Sequence, residues 1–244
     1  MGSIVLITRR RIFKIAVFTA PAIIIHHAQA QLESCLPTFC GSPSGTCAPI
    51  IPTTFDPATQ HNVALSGGNL TVTNLGGTSS DQGARTISSR SAGKYYYEII
   101  APSPGGGFRE GHGIMPPSGN YIQFSSNGFG GVWLETGTGS TNIFSNTTLV
   151  GSTGITGGPI VIEWAVDLDN LLAWVRNPGG LWNGHMGADP LTLAFGVTIP
   201  SVPMQPACTF GGFGGSPGRV LTANFGASPF VDTPLTGYTC GWPA

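Results

Sequence analysis

Between Pro159 and Asn177 the chain reads PIVIEWAVDLDNLLAWVRN, two apolar runs separated by Asp167, Leu168, Asp169 and Asn170. Side chains on an extended strand alternate between two faces. In the first run Ile160, Ile162, Trp164 and Val166 share one face, and Val161, Glu163 and Ala165 the other. In the second, Leu171, Ala173 and Val175 oppose Leu172, Trp174 and Arg176. The pattern predicts a hairpin of two half to fully buried strands in a larger sheet, turned by Asx residues whose side chains bond nearby backbone. From Thr54 onward, similar short runs recur with turn signals between them. They predict strands at Asn69–Thr73, Arg85–Ser89, Lys94–Ile100, Tyr121–Ser125, Gly131–Glu135 and Thr141–Phe144, then Leu193–Ile199, Met204–Phe210 and Arg219–Phe225. No stretch beyond the first thirty residues carries a sustained helical period. The expected fold is an all-β antiparallel sandwich. Pro102–Gly113 and Gly211–Gly218 are expected as long loops, where a rigid sandwich carries binding function.

Composition agrees with this reading. The 244 residues include 37 Gly and 20 Pro, and only 9% are charged, low for a globular chain yet too apolar for disorder. The N-terminus stands apart: MGSIVLITRRRIFK is basic, IAVFTAPAIII is an apolar core, and Ala28-Gln29-Ala30 offers an A-x-A cleavage site before Gln31. Residues 1–30 therefore read as a signal peptide. Its core is too short for a stable membrane span and holds Pro21. Thr8 to Lys14 also resembles a twin-arginine export signal, with three arginines serving a general secretory signal as the other reading. The expected location is secreted or periplasmic. Removing the segment leaves six basic against eleven acidic residues, a net charge of about −5, which argues against nucleic acid and anionic membrane surfaces.

The five cysteines all follow Gln31. Cys35, Cys40 and Cys47 sit in a Pro/Gly/Ser-rich stretch, 31–53, expected as a stalk closed by a local disulfide; Cys208 with Cys240 is a candidate second bridge. The odd count leaves one cysteine free or paired outside the chain. The spacing of the first three, with no nearby His, does not fit a zinc site.

Several motifs carry a resemblance. GKYYYEII (Gly93–Ile100), YIQFSSNGFGG (Tyr121–Gly131), the Pro159–Asn177 hairpin, CTFGGFGG (Cys208–Gly215) and NFGASPF (Asn224–Phe230) with Pro234–Tyr238 follow one another as the motifs of the SPRY, or B30.2-like, family do. The similarity covers Phe55 to Trp242. It departs at Glu163, where relatives keep a small residue, and from Pro102 to Pro117. The resemblance implies a bent antiparallel β-sandwich over 54–244, of SPRY or concanavalin A-like jelly-roll kind. It implies a non-catalytic module that grips a protein or peptide partner through its loops, without a cofactor or metal.

The loop surface expected to bind comprises Phe108, Arg109, Glu110 and His112, Asn127 and Phe129, and Trp182, Asn183 and His185. A carbohydrate-binding or carbohydrate-processing sandwich is the alternative, and a structural surface or appendage protein a third. Among catalytic patterns, Gly214–Gly218 matches G-x-S-x-G, but Pro217 lacks the N–H that an oxyanion hole needs. Asp167 and Asp169 lack the Gly and closing Glu of a cation loop. Glu98, Glu110, Glu135, Glu163, Asp167 and Asp189 are the carboxylates from which a glycosidase pair would be drawn.

Overall fold

The computed structural model describes residues 48–244, apart from 77–81, 102–108, 122–129, 138–139, 156–159 and 212–216. The chain divides into Met1–Thr46 and Cys47–Ala244, and the fold below belongs to the second unit. The signal segment with Ala30 and Gln31, and Cys35, Cys40 and Cys47, lie outside the described residues.

Among the described residues fourteen strands follow one another: β1 (Val63–Ser66), β2 (Thr71–Asn74), β3 (Gly83–Arg85), β4 (Lys94–Ala101), β5 (Arg109–Met115), β6 (Val132–Gly137), β7 (Ser140–Ser145), β8 (Thr148–Ser152), β9 (Ile160–Asp167), β10 (Leu172–Arg176), β11 (Val197–Thr198), β12 (Gln205–Gly211), β13 (Val220–Asn224) and β14 (Thr239–Cys240). They form two sheets. The eight-stranded sheet runs β1-β2-β13-β4-β9-β10-β11, with β14 also on β4; the six-stranded sheet runs β3-β12-β5-β6-β7-β8. Every pairing is antiparallel except β14 on β4, where the final strand continues the edge that β13 occupies further along. The fold is thus an all-β antiparallel sandwich.

The hairpin β9–β10 is its central rib. Ile162, Trp164 and Val166, with Ala173 and Val175, enter the main core between the sheets, while Ala165 and Trp174 join a second cluster on the outer side. This is the face assignment the alternation implies. The Asx turn also forms: Asp167 accepts from the Asn170 backbone and side chain, both at 2.9 Å, and Asp169 accepts from Gly93 N–H at 2.7 Å. Burial pushes the Asp167 carboxyl up, but the bonds from Asn170 and Lys94 outweigh it and hold the group below its usual value.

Three polar ties join the sheets across the core. His112 Nδ1 accepts from Trp164 Nε1–H at 3.0 Å, Tyr97 O–H donates to the Gly113 carbonyl at 3.1 Å, and Arg219 pairs with Glu110. Each places a polar group in an apolar interior, where an unmade bond costs about 1–3 kcal/mol, so each also fixes how the two sheets are aligned.

The structure departs from the sequence expectations in several places. Of the predicted strand Arg85–Ser89 only Arg85 is strand, at the end of β3, and β14 was not foreseen. β5 occupies Arg109–Met115, of which Arg109–Gly113 was expected in a loop; Gly113 is there because a Cβ would meet the Val132 carbonyl at 2.2 Å. β1 and β8 were not foreseen. Of the Leu193–Ile199 run only Val197–Thr198 is strand, because Leu193 (φ 62°) and Phe195 (φ 52°) adopt left-handed backbone. Cys208 is a buried free thiol, so it does not bridge to Cys240, which is itself disulfide-bonded. The predicted strand Tyr121–Ser125 lies, beyond Tyr121, outside the described residues.

Candidate binding groove

Where the two sheets end side by side, β8 is the outer strand of one and β11 of the other. Between them opens a groove of about 750 Å³. Ile143, Ser145, Thr148, Val150 and Ser152 form one wall, and Asn183, His185, Phe195, Val197 and Thr198 the other. No Asp, Glu, Lys or Arg is among its described lining residues. β8 presents its apolar side chains outward, with Leu149 57% and Val150 47% exposed, and a bulge at Val150 breaks its register with β7.

The second wall is held in an unusual backbone path. Asn183, at φ 52°, accepts from Val175 N–H at 2.9 Å and donates to the Phe195 carbonyl at 2.9 Å, tying the Trp182–Gly184 turn to β10 and to the loop beyond. Gly184 lets that turn press on β8, since a Cβ would meet the Ser152 carbonyl at 2.1 Å. The loop closes through the Asp189–Ala194 bridge, with Asp189 accepting from Leu191 N–H at 2.8 Å and Trp174 Nε1–H donating to the Ala194 carbonyl at 2.8 Å. Left-handed backbone at a bulky residue costs roughly 1–2 kcal/mol. Here the cost serves to present Phe195 outward: it is 59% exposed, with His185 stacked on it at 4.0 Å between ring centroids.

Of the nine residues expected to form a binding surface, the structure brings Asn183 and His185 to the groove and sets Trp182 just behind them, buried under the Arg176 guanidinium at 4.2 Å. Glu110 and His112 are not surface residues, which corrects the loop assignment. They alternate with Gly111 and Gly113 along β5, so both face the main core, with Glu110 paired to Arg219 and His112 to Trp164. Burial pushes His112 down to about 3, keeping it neutral, and raises Glu110 against the opposing pull of Arg219. Arg109 opens β5, pairing with Gly211. Phe108, Asn127 and Phe129 lie outside the described residues. Sequence reasoning missed Phe195 and all of β8. A signal for β8 was present: Asn146 and Thr147 form the two-residue turn between Ser145 and Thr148, with Asn146 at φ 52°.

Five of the six candidate carboxylates, Glu98, Glu110, Glu135, Glu163 and Asp167, are buried inside the fold, and Asp189 sits in the loop beside the groove. On the outer face of the eight-stranded sheet, β4, β9 and β10 align three rows: Lys94, Asp167 and Leu172; Tyr96, Ala165 and Trp174; Glu98, Glu163 and Arg176. The first row holds an ion pair at 3.0 Å. The second is apolar and is covered by Phe230, Leu235 and Tyr238. In the third, Arg176 bonds Glu163 at 2.5 Å and Asp232 at 3.3 Å, and Glu98 accepts from Val231 N–H at 2.7 Å. Burial raises Glu98 and pushes Glu163 up to about 7. Both residues are buried, Glu98 bonded to the segment that follows β13. Cys208 and His112 face each other across β12 and β5, but burial pushes the thiol up to about 12 and the imidazole down, the reverse of an activated thiolate pair. The G-x-S-x-G stretch lies, before Pro217, outside the described residues.

No protein-family model and no curated protein matches the chain. Among solved structures, the crystal structure of the TRIM65 PSpry domain is similar at 17% identity and a TM-score of 0.47, covering 71% of this chain and 92% of that one. The crystal structure of the SPRY domain of human HERC1 is similar at 12% identity and a TM-score of 0.48, covering 72% and 99%.

Proposed function

We propose that this chain is a non-catalytic recognition module that takes an uncharged, extended protein or peptide segment into the groove between β8 and β11. One observation carries the reading: an exposed aromatic, Phe195, is held at left-handed backbone over a groove whose described lining holds no Asp, Glu, Lys or Arg. Strained backbone gathers at ligand clamps, and aromatic anchors dominate the energetics of binding surfaces. The order of the SPRY-like motifs supports the same class, since those on described residues fall in turn on β4, on β9–β10, at β12 and at the end of β13. A glycan is the second reading, favoured by the hydroxyls of Ser145, Thr148, Ser152 and Thr198 beside an aromatic ring. With its N-terminal signal, the module acts outside the cytoplasm.

Panning a random peptide display library against the chain from Gln31, beside a glycan array, tests this. Uncharged peptides should be enriched, and Phe195→Ala should weaken them by about 2 kcal/mol, roughly thirtyfold. Enrichment of glycans alone would move the reading to carbohydrate. Capture indifferent to Phe195→Ala would sink the groove as the site.

A further inference from the structure

The third row of the outer face has more negative groups than its one cation can satisfy. Arg176 is shared between Glu163 on β9, through Nε, and Asp232, through Nη2. Glu98 on β4 stands directly opposite Glu163. The groups that face Glu163 are therefore Glu98 and, diagonally, Tyr96 from β4, Arg176 from β10, and Asp232 from the covering segment. Lys94 and Asp167 are two rows away and paired to each other. With all three carboxylates ionised, the row holds two uncompensated negative charges. Glu163 Oε1 is then buried with no donor.

The covering segment, residues 226–238, is held by this same row. Val231 N–H bonds Glu98, and Asp232 takes Arg176 and also Gly179 N–H at 3.1 Å. Phe230 packs edge-on to Tyr96 at 5.2 Å. We infer that residues 226–238 form a strap latched to the sheet by Glu98, Glu163, Arg176 and Asp232, and that proton uptake at Glu163 tightens the latch. A proton on Glu163 removes its repulsion with Asp232 and Glu98, leaves Arg176 to Asp232, and makes the carboxyl itself a hydrogen-bond donor where Oε1 stands unpartnered. Loss of the proton reverses each change. The raised value of Glu163 sets the direction: a carboxyl that holds its proton more firmly in the latched state than in water favours latching below its ordinary value, and that advantage is lost as pH rises towards about 7. The latch is read on the strap itself and stands whatever occupies the groove.

Amide hydrogen exchange of the full chain, followed by mass spectrometry at pH 5 and pH 8 and corrected for intrinsic rates, tests the inference. The 226–238 peptide should be roughly tenfold better protected at pH 5, the equivalent of one pKa unit of differential proton binding, while peptides from β6 and β7 change little. Glu163→Gln, which mimics the protonated carboxyl, should protect the strap equally at both pH values. Asp232→Asn should leave it poorly protected at both. The inference is overturned if wild-type strap protection does not depend on pH, if all peptides shift together, or if Glu163→Gln keeps the wild-type dependence.

Discussion

The inward face of β5 and the wall around Phe195 place their polar and apolar side chains in opposite ways. β5 turns Glu110 and His112 into the core, each matched to one partner from the other sheet. The groove wall has no Asp, Glu, Lys or Arg among its described residues and leaves its aromatic exposed. Every glutamate among the described residues, Glu98, Glu110, Glu135 and Glu163, is buried. In a chain with few charges, then, the charged groups align the sheets and tie residues 226–238 down, and the described lining of the groove is left without Asp, Glu, Lys or Arg.

The largest test of this contrast is Arg219→Ala. It leaves Glu110 buried without its cation, so stability should fall by about 3–5 kcal/mol, measured by denaturant unfolding, while any groove ligand still binds the folded fraction. A fall below about 1 kcal/mol would mean that the pair is a solvated surface contact, and the contrast would fail. Next in size is the pH profile of His112→Gln. In the wild type the imidazole stays neutral when folded down to about 3, whereas in the unfolded chain it takes a proton near 6.5. His112 therefore contributes stability that is present above 6.5 and lost as pH falls. Removing the ring should flatten the acid side by about 3 kcal/mol at pH 4, read from thermal unfolding across pH 4 to 8. Glu163 acts with the opposite sign, its contribution falling as pH rises from about 4.5 to 7, so the single and double variants should show two slopes that cancel in part between them.

The smallest effect is expected at the groove. Phe195→Gly relieves the left-handed backbone and removes a largely exposed ring with its stack on His185, so the fold should change by no more than about 1 kcal/mol in either direction, even as ligand capture is lost. A large loss of stability would show that Phe195 belongs to the packing of the sandwich rather than to its recognition surface.

How far the sequence could be read follows from the same division. β4 and the β9–β10 hairpin were legible because their apolar residues alternate cleanly and their turn residues have one use. β5 was not: Glu110 and His112 take inward positions and glycines stand between and after them, Gly113 imposed by the close approach of β6, so hydrophobic period and propensity both pointed to a loop. The run LTLAFGVTI failed in the other direction. It alternates like a strand, but tertiary bonds from Asn183 and Trp174 hold it in a loop. The site was half legible for a related reason. Asn183 and His185 announced themselves as polar residues among glycines, while Phe195 and Val150 looked like core.

The free thiol of Cys208 has a use of its own. It lies fully buried on β12, between the sheets, with its proton held up to about 12, so a thiol reagent can reach it only when the two sheets part. The rate at which Cys208 is alkylated, mapped to its own peptide, is therefore a clock for whole-domain opening. It needs no introduced probe, and it can be run beside the strap measurement to tell a lifted strap from a separated sandwich.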